Sequence, residues 1–595
     1  MPKRFLAGAA LALASAAHAE TTLSPLLVTA LREPVTADRT LTAVRVIDRD
    51  DIETRQPRSV IDLLRTEPGV EVSRNGGRGQ VASLFLRGTN ADHTLVLVDG
   101  VRAASTTTGQ FDFSQLDVAQ IERIEIVRGP RSTLYGSDAV GGVVQIFTRQ
   151  PQGAMASVGG GSFATKQARV GYGTEPGDTR FSINGAWTDT EGFSATNSDA
   201  AFGFDPDDDA YRSASATARF ESRLWDADAR LRASGWFSDG EVEFDQGVSD
   251  TRNQVYSLAL EDRITGAWSQ QAQLGYSRDR VETDSAFPTD IRSGRWNASW
   301  LQRLDTAWGV ATLGVDYYRD RGENENRDSG AEQFDEIITN RAVFGHWRGA
   351  DGPWDLELGL RQDAHSEFGG ETSGSVALGR SLGGGWRGWA SWGRAFKAPS
   401  FNELFFPGFG NPDLEPETSR TTELGLRYAG ARLQAGITAF RTRVDDLIDS
   451  VQVAPFVFEA RNIDEARIRG LELELEAGRG PWDALAHLTW QHTEDQDSGQ
   501  ALPRRADLRA GLNLSRQLGD ALSLAAETLY VGERRDAGQR LGRYVLVNLS
   551  ARLRLTEGLA LEGRLENLLD QDYQLASGFN TPGVSAFGAV TWRGR

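Results

Sequence analysis

The sequence predicts an all-β transmembrane barrel of about 22 antiparallel strands, with an N-terminal α+β plug domain in its lumen. Three observations lead there. The chain opens on an export leader, everything after about residue 153 runs in short segments of alternating polarity, and the stretch between them does neither.

In the leader, Lys3 and Arg4 make a basic start and residues 5–17 are small and apolar. Ala17-His18-Ala19 then offers small residues at the spacing of a cleavage site. The apolar part is too short to span a bilayer, so residues 1–19 are expected to be a signal peptide and the mature chain to start at Glu20. No later stretch reaches about twenty apolar residues, so a membrane crossing would have to be made by strands. Composition removes other classes. With no Cys, thiolate metal sites and cysteine nucleophiles are excluded. A net charge of -19 argues against a nucleic-acid partner, and an acidic surface can instead collect cations.

The barrel is read from period two. In Leu471-Glu472-Leu473-Glu474-Leu475-Glu476 every second residue is apolar. Val545, Val547, Leu549, Ala551 and Leu553 alternate with polar partners, as do Leu356, Leu358 and Leu360. Each such segment has one greasy and one wet face. A soluble sandwich would give the same pattern, so the number of segments decides. Roughly 440 residues, at about twenty per membrane strand and its connection, make about 22 strands, the size of a plugged transporter. Trp236, Trp296, Trp300, Tyr317 and Trp392 fit interfacial girdles. Residues 151–595 are assigned to this barrel.

Residues 36–150 read as the plug. Val60, Leu63 and Leu64 share one side of a helical pattern. Leu95-Val96-Leu97-Val98 is a continuous apolar run ending at Asp99-Gly100, as for a buried strand and its turn. Strands are also expected over 121–127 and 143–148. Residues 20–35 are a separate leading segment. In it Leu26, Leu27, Val28, Thr29 and Ala30 form a short β-prone stretch, on its residues alone either an ordinary first strand or an exposed edge that could add to a partner's sheet.

No catalytic motif is present: no Walker A, no paired zincin histidines, no G-x-S-x-G elbow. Gly383-Gly384-Gly385-Trp386-Arg387-Gly388 satisfies G-x-G-x-x-G but lies between two alternating strands, which predicts a hairpin turn. His487 and His492 lie five apart, weak evidence for a metal pair. The chain is therefore expected not to be an enzyme.

Long phrases resemble the TonB-dependent outer-membrane receptors, within them the cobalamin-transporting branch. In the plug these are Asn75-Gly76-Gly77-Arg78-Gly79-Gln80, Leu86-Arg87-Gly88-Thr89-Asn90-Ala91-Asp92-His93, Leu95 to Arg102, Arg128-Gly129-Pro130-Arg131-Ser132, and Tyr135 to Val144. Phe396-Lys397-Ala398-Pro399, Asn411 to Glu417 and Glu566-Asn567-Leu568-Leu569-Asp570 resemble general signatures of the superfamily. The resemblance implies location in the outer membrane of a Gram-negative bacterium, contact with its lipid, and a monomer. It makes residues 26–30 a TonB box engaged by inner-membrane TonB, and cobalamin or a related corrinoid the imported ligand. It puts Val81, Ser83, Asn90, Thr108 and Gly109 of the plug, and Thr289 and Arg504 of barrel loops, at ligand-contact positions. A tyrosine of that branch is Gln539 here.

The run Asp205-Pro206-Asp207-Asp208-Asp209 places hard oxygens close together, as calcium requires. On its residues alone, a solvated acidic loop accounts for it as well or better. By resemblance, Asp205, Asp207 and Asp209, with Asp245 and Asp250 of the next long loop, are calcium ligands that order the ligand-binding loops. Ser194 stands where a further aspartate is expected. The rival expectations are a siderophore or haem receptor of the same architecture and, more remotely, a passive porin or adhesin. The basic ending Arg593-Gly594-Arg595 departs from the usual terminal aromatic strand.

Overall fold

The computed structural model of the protein describes residues 27–200, 204–224, 228–455 and 457–594. The expected signal peptide, Leu26 and Arg595 lie outside the described residues.

Twenty-two antiparallel strands close into one barrel, from Gly153–Gly161 to Ser585–Arg593. The first and last strands pair in register, Gly161 with Phe587 and Met155 with Arg593, so no edge is left unpaired. Connections at one end are short: Thr265 to Trp268, Thr306 to Gly309 and Asp351 to Trp354. At the other end lie the long loops 194–208, 398–416, 496–507, 532–543 and 567–584, and the strands reach up to 23 residues. Long outer loops and short inner turns give the barrel its orientation. Gly383, Gly384 and Gly385 all have positive φ and make the hairpin expected of them.

Alternation becomes a lipid face and a lumen face. Along Gly247–Thr265, Tyr256, Leu258 and Leu260 are 37–48% exposed, while Val255 and Ala259 on the opposite face are buried. Trp296, Trp300, Tyr317 and Trp392 all face outward. Trp236 does not. It is 2% exposed and packs on Phe111 of the plug, ring centroids 5.8 Å apart. A tryptophan in an alternating segment serves either face, and strand register decides which.

The plug fills the lumen with a five-stranded sheet in the order Val44–Ile47, Ile121–Arg128, Gly142–Thr148, Thr94–Val98, Val101–Arg102. Its one parallel pairing, Thr94–Val98 with Gly142–Thr148, buries the continuous apolar run on both faces. Helices Arg49–Arg55 and Val60–Leu64 supply Ile52, Leu63 and Leu64 to the same core. Ser59 caps the second helix, accepting from the Asp62 amide. The last plug strand ends at Thr148 and the first barrel strand begins at Gly153.

Plug and wall meet largely through charges. Arg87 donates to Glu423 and Glu472 at 2.8 Å, and Arg128 pairs with the same Glu472 at 3.1 Å. Arg55 bridges Glu67 of the plug at 2.6 Å and Glu527 of the wall at 2.8 Å. Such contacts fix register yet contribute little net stability, because desolvation offsets most of the attraction. That suits a body that must be held in place and still be movable.

Candidate ligand-binding mouth and coupling segment

Two plug loops rise toward the long-loop end. One joins Val70–Arg74 to Ala82–Leu86, and the other follows Val101–Arg102. Ser83 Oγ donates to Gln110 Oε1 at 3.0 Å and ties the loops together. Beside this tie Val81 is 68% exposed and Thr108 is exposed. Gly109 takes φ +72°, and a Cβ there would stand 2.9 Å from that of Asp92, so other residues are strained. These positions form an open, mostly uncharged platform with one bare apolar group. A large amide-rich ligand needs such a surface.

The other positions sort differently. Asn90 caps the short helix Ala91–His93, and its Oδ1 accepts from Arg505 at 2.6 Å. Arg505 also donates to the carbonyls of Gly88 and Thr89. Arg504 turns away at φ +67° and pairs with Asp536 at 2.8 Å. Arg505, which the sequence reading passed over, is the arginine that touches the plug. Thr289 begins its strand at the outer rim, opposite Asn326. Gln539 sits exposed in the hairpin of Arg534–Asp536 with Gln539–Leu541.

Gly109 also lines a small pocket with Lys397, Asp138 and Arg295. At its edge Lys397 pairs with Asp92 at 2.9 Å and with Glu403 at 3.3 Å. His93 Nε2 lies 2.5 Å from Glu417, binding the same plug turn to the wall.

The acidic loops meet over the plug. Asp205, Asp207, Asp209 and Asp245 are electrostatic neighbours. Slight desolvation by its neighbours and the charge of Asp205 push the exposed Asp207 carboxyl up. Burial, with Asp205 and Asp207 nearby, does the same to Asp245. Asp245 Oδ1 is buried with no hydrogen-bond partner, while its Oδ2 accepts from Thr196. Among the described residues no three carboxylates or imidazoles already form a ready-made metal site. An orphaned carboxylate oxygen among like charges nevertheless fits a hard cation. Asp250 is not brought to this group. It is exposed on the outward face, opposite Glu241 and Glu282, while its neighbour Thr251 points inward.

Ser194, standing at an expected ligand position, donates to the Asp205 carbonyl at 2.8 Å, and the Ala195 amide donates to Asp209 at 2.6 Å. Asn580, from the last outer loop, holds the carbonyls of Ser194 and Thr196. Its role was invisible in sequence because it comes from more than 380 residues away.

The leading segment is not exposed as expected. Leu27–Val28 pairs antiparallel with Val35–Thr36, and Val28 and Ala30 are 0% and 1% exposed. The amides of Thr29 and Ala30 donate to Glu125 at 2.7 and 2.8 Å, and Arg32 forks onto Asp316 of the wall at 3.0 and 3.1 Å. The strand edge that a partner would extend is folded onto the plug. His487 and His492 also separate: an odd spacing on Trp482–Asp495 sends them to opposite faces, His487 buried and His492 not.

A closed 22-stranded barrel with a docked plug, an open platform at its outer mouth and a leading segment at its inner end defines a plugged outer-membrane transporter. The chain belongs to the TonB-dependent receptors: residues 148–568 match the TonB dependent receptor-like β-barrel and residues 36–143 the TonB-dependent receptor plug domain. It is therefore a TonB-dependent transporter of the Gram-negative outer membrane, a class that takes a small-molecule ligand and works with TonB. It is 31% identical over 581 residues to the vitamin B12 transporter BtuB of Vibrio vulnificus, covering 92% of this chain and 91% of that one. The same-named protein of Photobacterium profundum is 29% identical, covering 96% and 95%. Among solved structures, the ferric enterobactin receptor PfeA of Pseudomonas aeruginosa superposes with a TM-score of 0.80 at 20% identity, covering 95% of this chain and 100% of that one. The siderophore receptor PirA of Acinetobacter baumannii gives 0.79 at 18%, covering 94% and 99%. These two show the fold.

Proposed function

We propose that this chain imports cobalamin or a closely related corrinoid, and that no bond is made or broken by it. The relatives named as vitamin B12 transporters cover nine-tenths or more of its length. The observation that carries the reading to the site is the tethered platform, where Val81 stands bare beside Thr108 and Gly109. This reading also takes Ser83, Asn90 and Thr289 as polar contacts to the ligand, and Arg505, next to Arg504, holds the loop carrying Asn90.

Calcium is the ion this reading assigns to Asp205, Asp207, Asp209 and Asp245, with Asp250 left out because it faces away. Bound there, it would neutralise the crowded carboxyls and pin the loops over the platform. Residues 26–30 serve as the TonB box. TonB engages this edge once the contacts to Glu125 and the strand Val35–Thr36 are released, and its pull then rearranges the plug.

The test is calorimetric titration of cyanocobalamin into the purified, detergent-solubilised protein, first with calcium and then with chelator. Tight binding that weakens on chelation supports ligand and ion together. Binding indifferent to chelator keeps the ligand and removes the ion, and no binding in either condition overturns the ligand and directs the titration to ferric chelates.

A further inference from the structure

The plug leaves a gap along one side of the wall. A cleft runs between its helix Arg49–Arg55 and the seam where the first barrel strand, Gly153–Gly161, meets the last, Ser585–Arg593. Ile52, Val118, Met155 and Ala589 give it apolar sides, yet six of the side chains lining it are arginines and two are glutamates. The local sign is thus the reverse of the whole chain's, which is -19. The low end lies at Arg593, whose side chain is 42% exposed, and opens on the short-turn, periplasmic side. At the other end Arg58 of the plug meets Phe587 and Thr165 of the wall.

The arginines differ in what answers their charge. Glu53 collects the lower ones, taking Arg49 at 2.9 Å, Arg149 at 3.3 Å and Arg593 at 2.5 Å. Arg169 pairs with Asp117 at 3.0 Å, and Arg564 with Glu527 at 2.6 Å and Glu566 at 2.7 Å. Among the described residues Arg58 has no ion pair and no carbonyl acceptor, and its one hydrogen bond runs to Thr165 Oγ1 at 3.4 Å. Its guanidinium stands over the Phe587 ring, 3.4 Å from the centroid. A ring covers one face of the planar group and uses none of its five donors. Burial pulls Arg58 down to about 10; Glu566 opposes that shift and Arg78 adds to it. The group is still charged at neutral pH, a sheltered cation short of acceptors. Gln167, the next inward position after Thr165, lines the same cleft, and its side chain has no hydrogen bond among the described residues.

We propose that this cleft binds an oxyanion from the periplasm, a phosphate or a carboxylate, with Arg58 as its forked donor and Gln167 and Thr165 beside it. The planar fork of arginine matches either anion with two parallel hydrogen bonds. Arg58 belongs to the plug, while Gln167 and Thr165 belong to the wall. A bound anion therefore joins the two bodies and favours the docked plug over a displaced one.

Equilibrium dialysis tests this, with the purified protein in non-ionic detergent and buffer free of other oxyanions. Radiolabelled orthophosphate and radiolabelled acetate are the two probes, run in parallel. One saturable equivalent per chain is expected for at least one of them, and the probe that binds tells phosphate from carboxylate. Arg58→Gln should weaken it about tenfold or more, the loss of one charge-assisted pair, and Arg58→Lys should keep part of it. Arg39→Gln removes an exposed plug arginine that does not line the cleft, and should change nothing. The bound probe should also slow hydrogen exchange over residues 49–58 in the wild type and not in Arg58→Gln. Heat-modifiable migration on gels and thermal melting report that each variant is folded. Saturable binding of neither probe overturns the proposal. Equal binding by Arg58→Gln does so as well, leaving an adventitious ion only, and so does an equal loss in Arg39→Gln, which would make charge in general the cause.

Discussion

At the scale of single residues, the mouth combines positions that are free to change with positions that are not. Val81 is 68% exposed and supports nothing, so Val81→Asp should leave stability within about 0.5 kcal/mol. It should still weaken cyanocobalamin binding about tenfold or more, since the ligand would bury an unpaired charge against it. Calorimetry beside thermal melting checks both halves, and unchanged affinity would remove Val81 from the platform. Arg505 and Arg504 differ in the opposite sense. Arg505→Ala frees the 88–90 turn, which loses three acceptor contacts, and should loosen ligand binding more than Arg504→Ala, which severs only the tie to Asp536. Direct comparison of the two affinities decides, and the reverse order would restore Arg504 to the site. The sequence points to Arg504, one position from the arginine that holds the 88–90 turn. It could not choose between the two because residues 504–507 lie outside any strand, where parity assigns no face.

At the scale of elements, what was legible follows from locality. The Leu95–Val98 strand, the Ser59-capped helix and the Gly383–Gly385 turn depend on residues within a few positions of one another, and each forms where period and turn chemistry place it. The leading hairpin does not. Its burial depends on Glu125, about 95 residues away, and on Asp316 of the wall, so residues that read as a free edge are found docked. Glu125 accepts from two consecutive amides and from Arg123 at 3.0 Å. Hydrogen bonds to a charged acceptor contribute about 1.5–3 kcal/mol each, so Glu125→Ala should populate the released hairpin. In a Thr29→Cys background, thiol labelling should then quicken about tenfold or more. An unchanged rate would mean that Val28 and Ala30, packed in the plug, hold the segment without the carboxylate.

At the scale of the whole molecule, strand number, closure and the presence of a plug were legible because they rest on sums over hundreds of residues. The way the plug is held was not, since its ion pairs join residues hundreds of positions apart. The arginines that reach the wall are themselves set inside the plug, and Glu67, which pairs there with Arg45 and with the Arg55 that meets Glu527 of the wall, shows what this implies for pH. It is fully buried between Arg55 at 2.6 Å and Arg45 at 3.1 Å. Burial pushes its carboxyl up, but the two guanidiniums outweigh burial and hold it below the usual range. A carboxyl depressed in the folded state takes up its proton more readily in the unfolded plug. Its stabilisation is therefore complete above the unfolded value of about 4.3 and is lost as pH falls through the lower folded value. Docking should be level from about pH 5 to 8 and weaken in stronger acid. Glu67→Gln should remove that part of the acid dependence and cost about 3 kcal/mol at neutral pH, because Arg45 and Arg55 each lose a buried counter-charge. Hydrogen exchange over residues 44–74 in detergent measures this, with the barrel strands of the same sample as reference. An acid slope that survives in the variant would transfer the effect to the wall carboxylates Glu472 and Glu527, which meet the plug arginines from the other side.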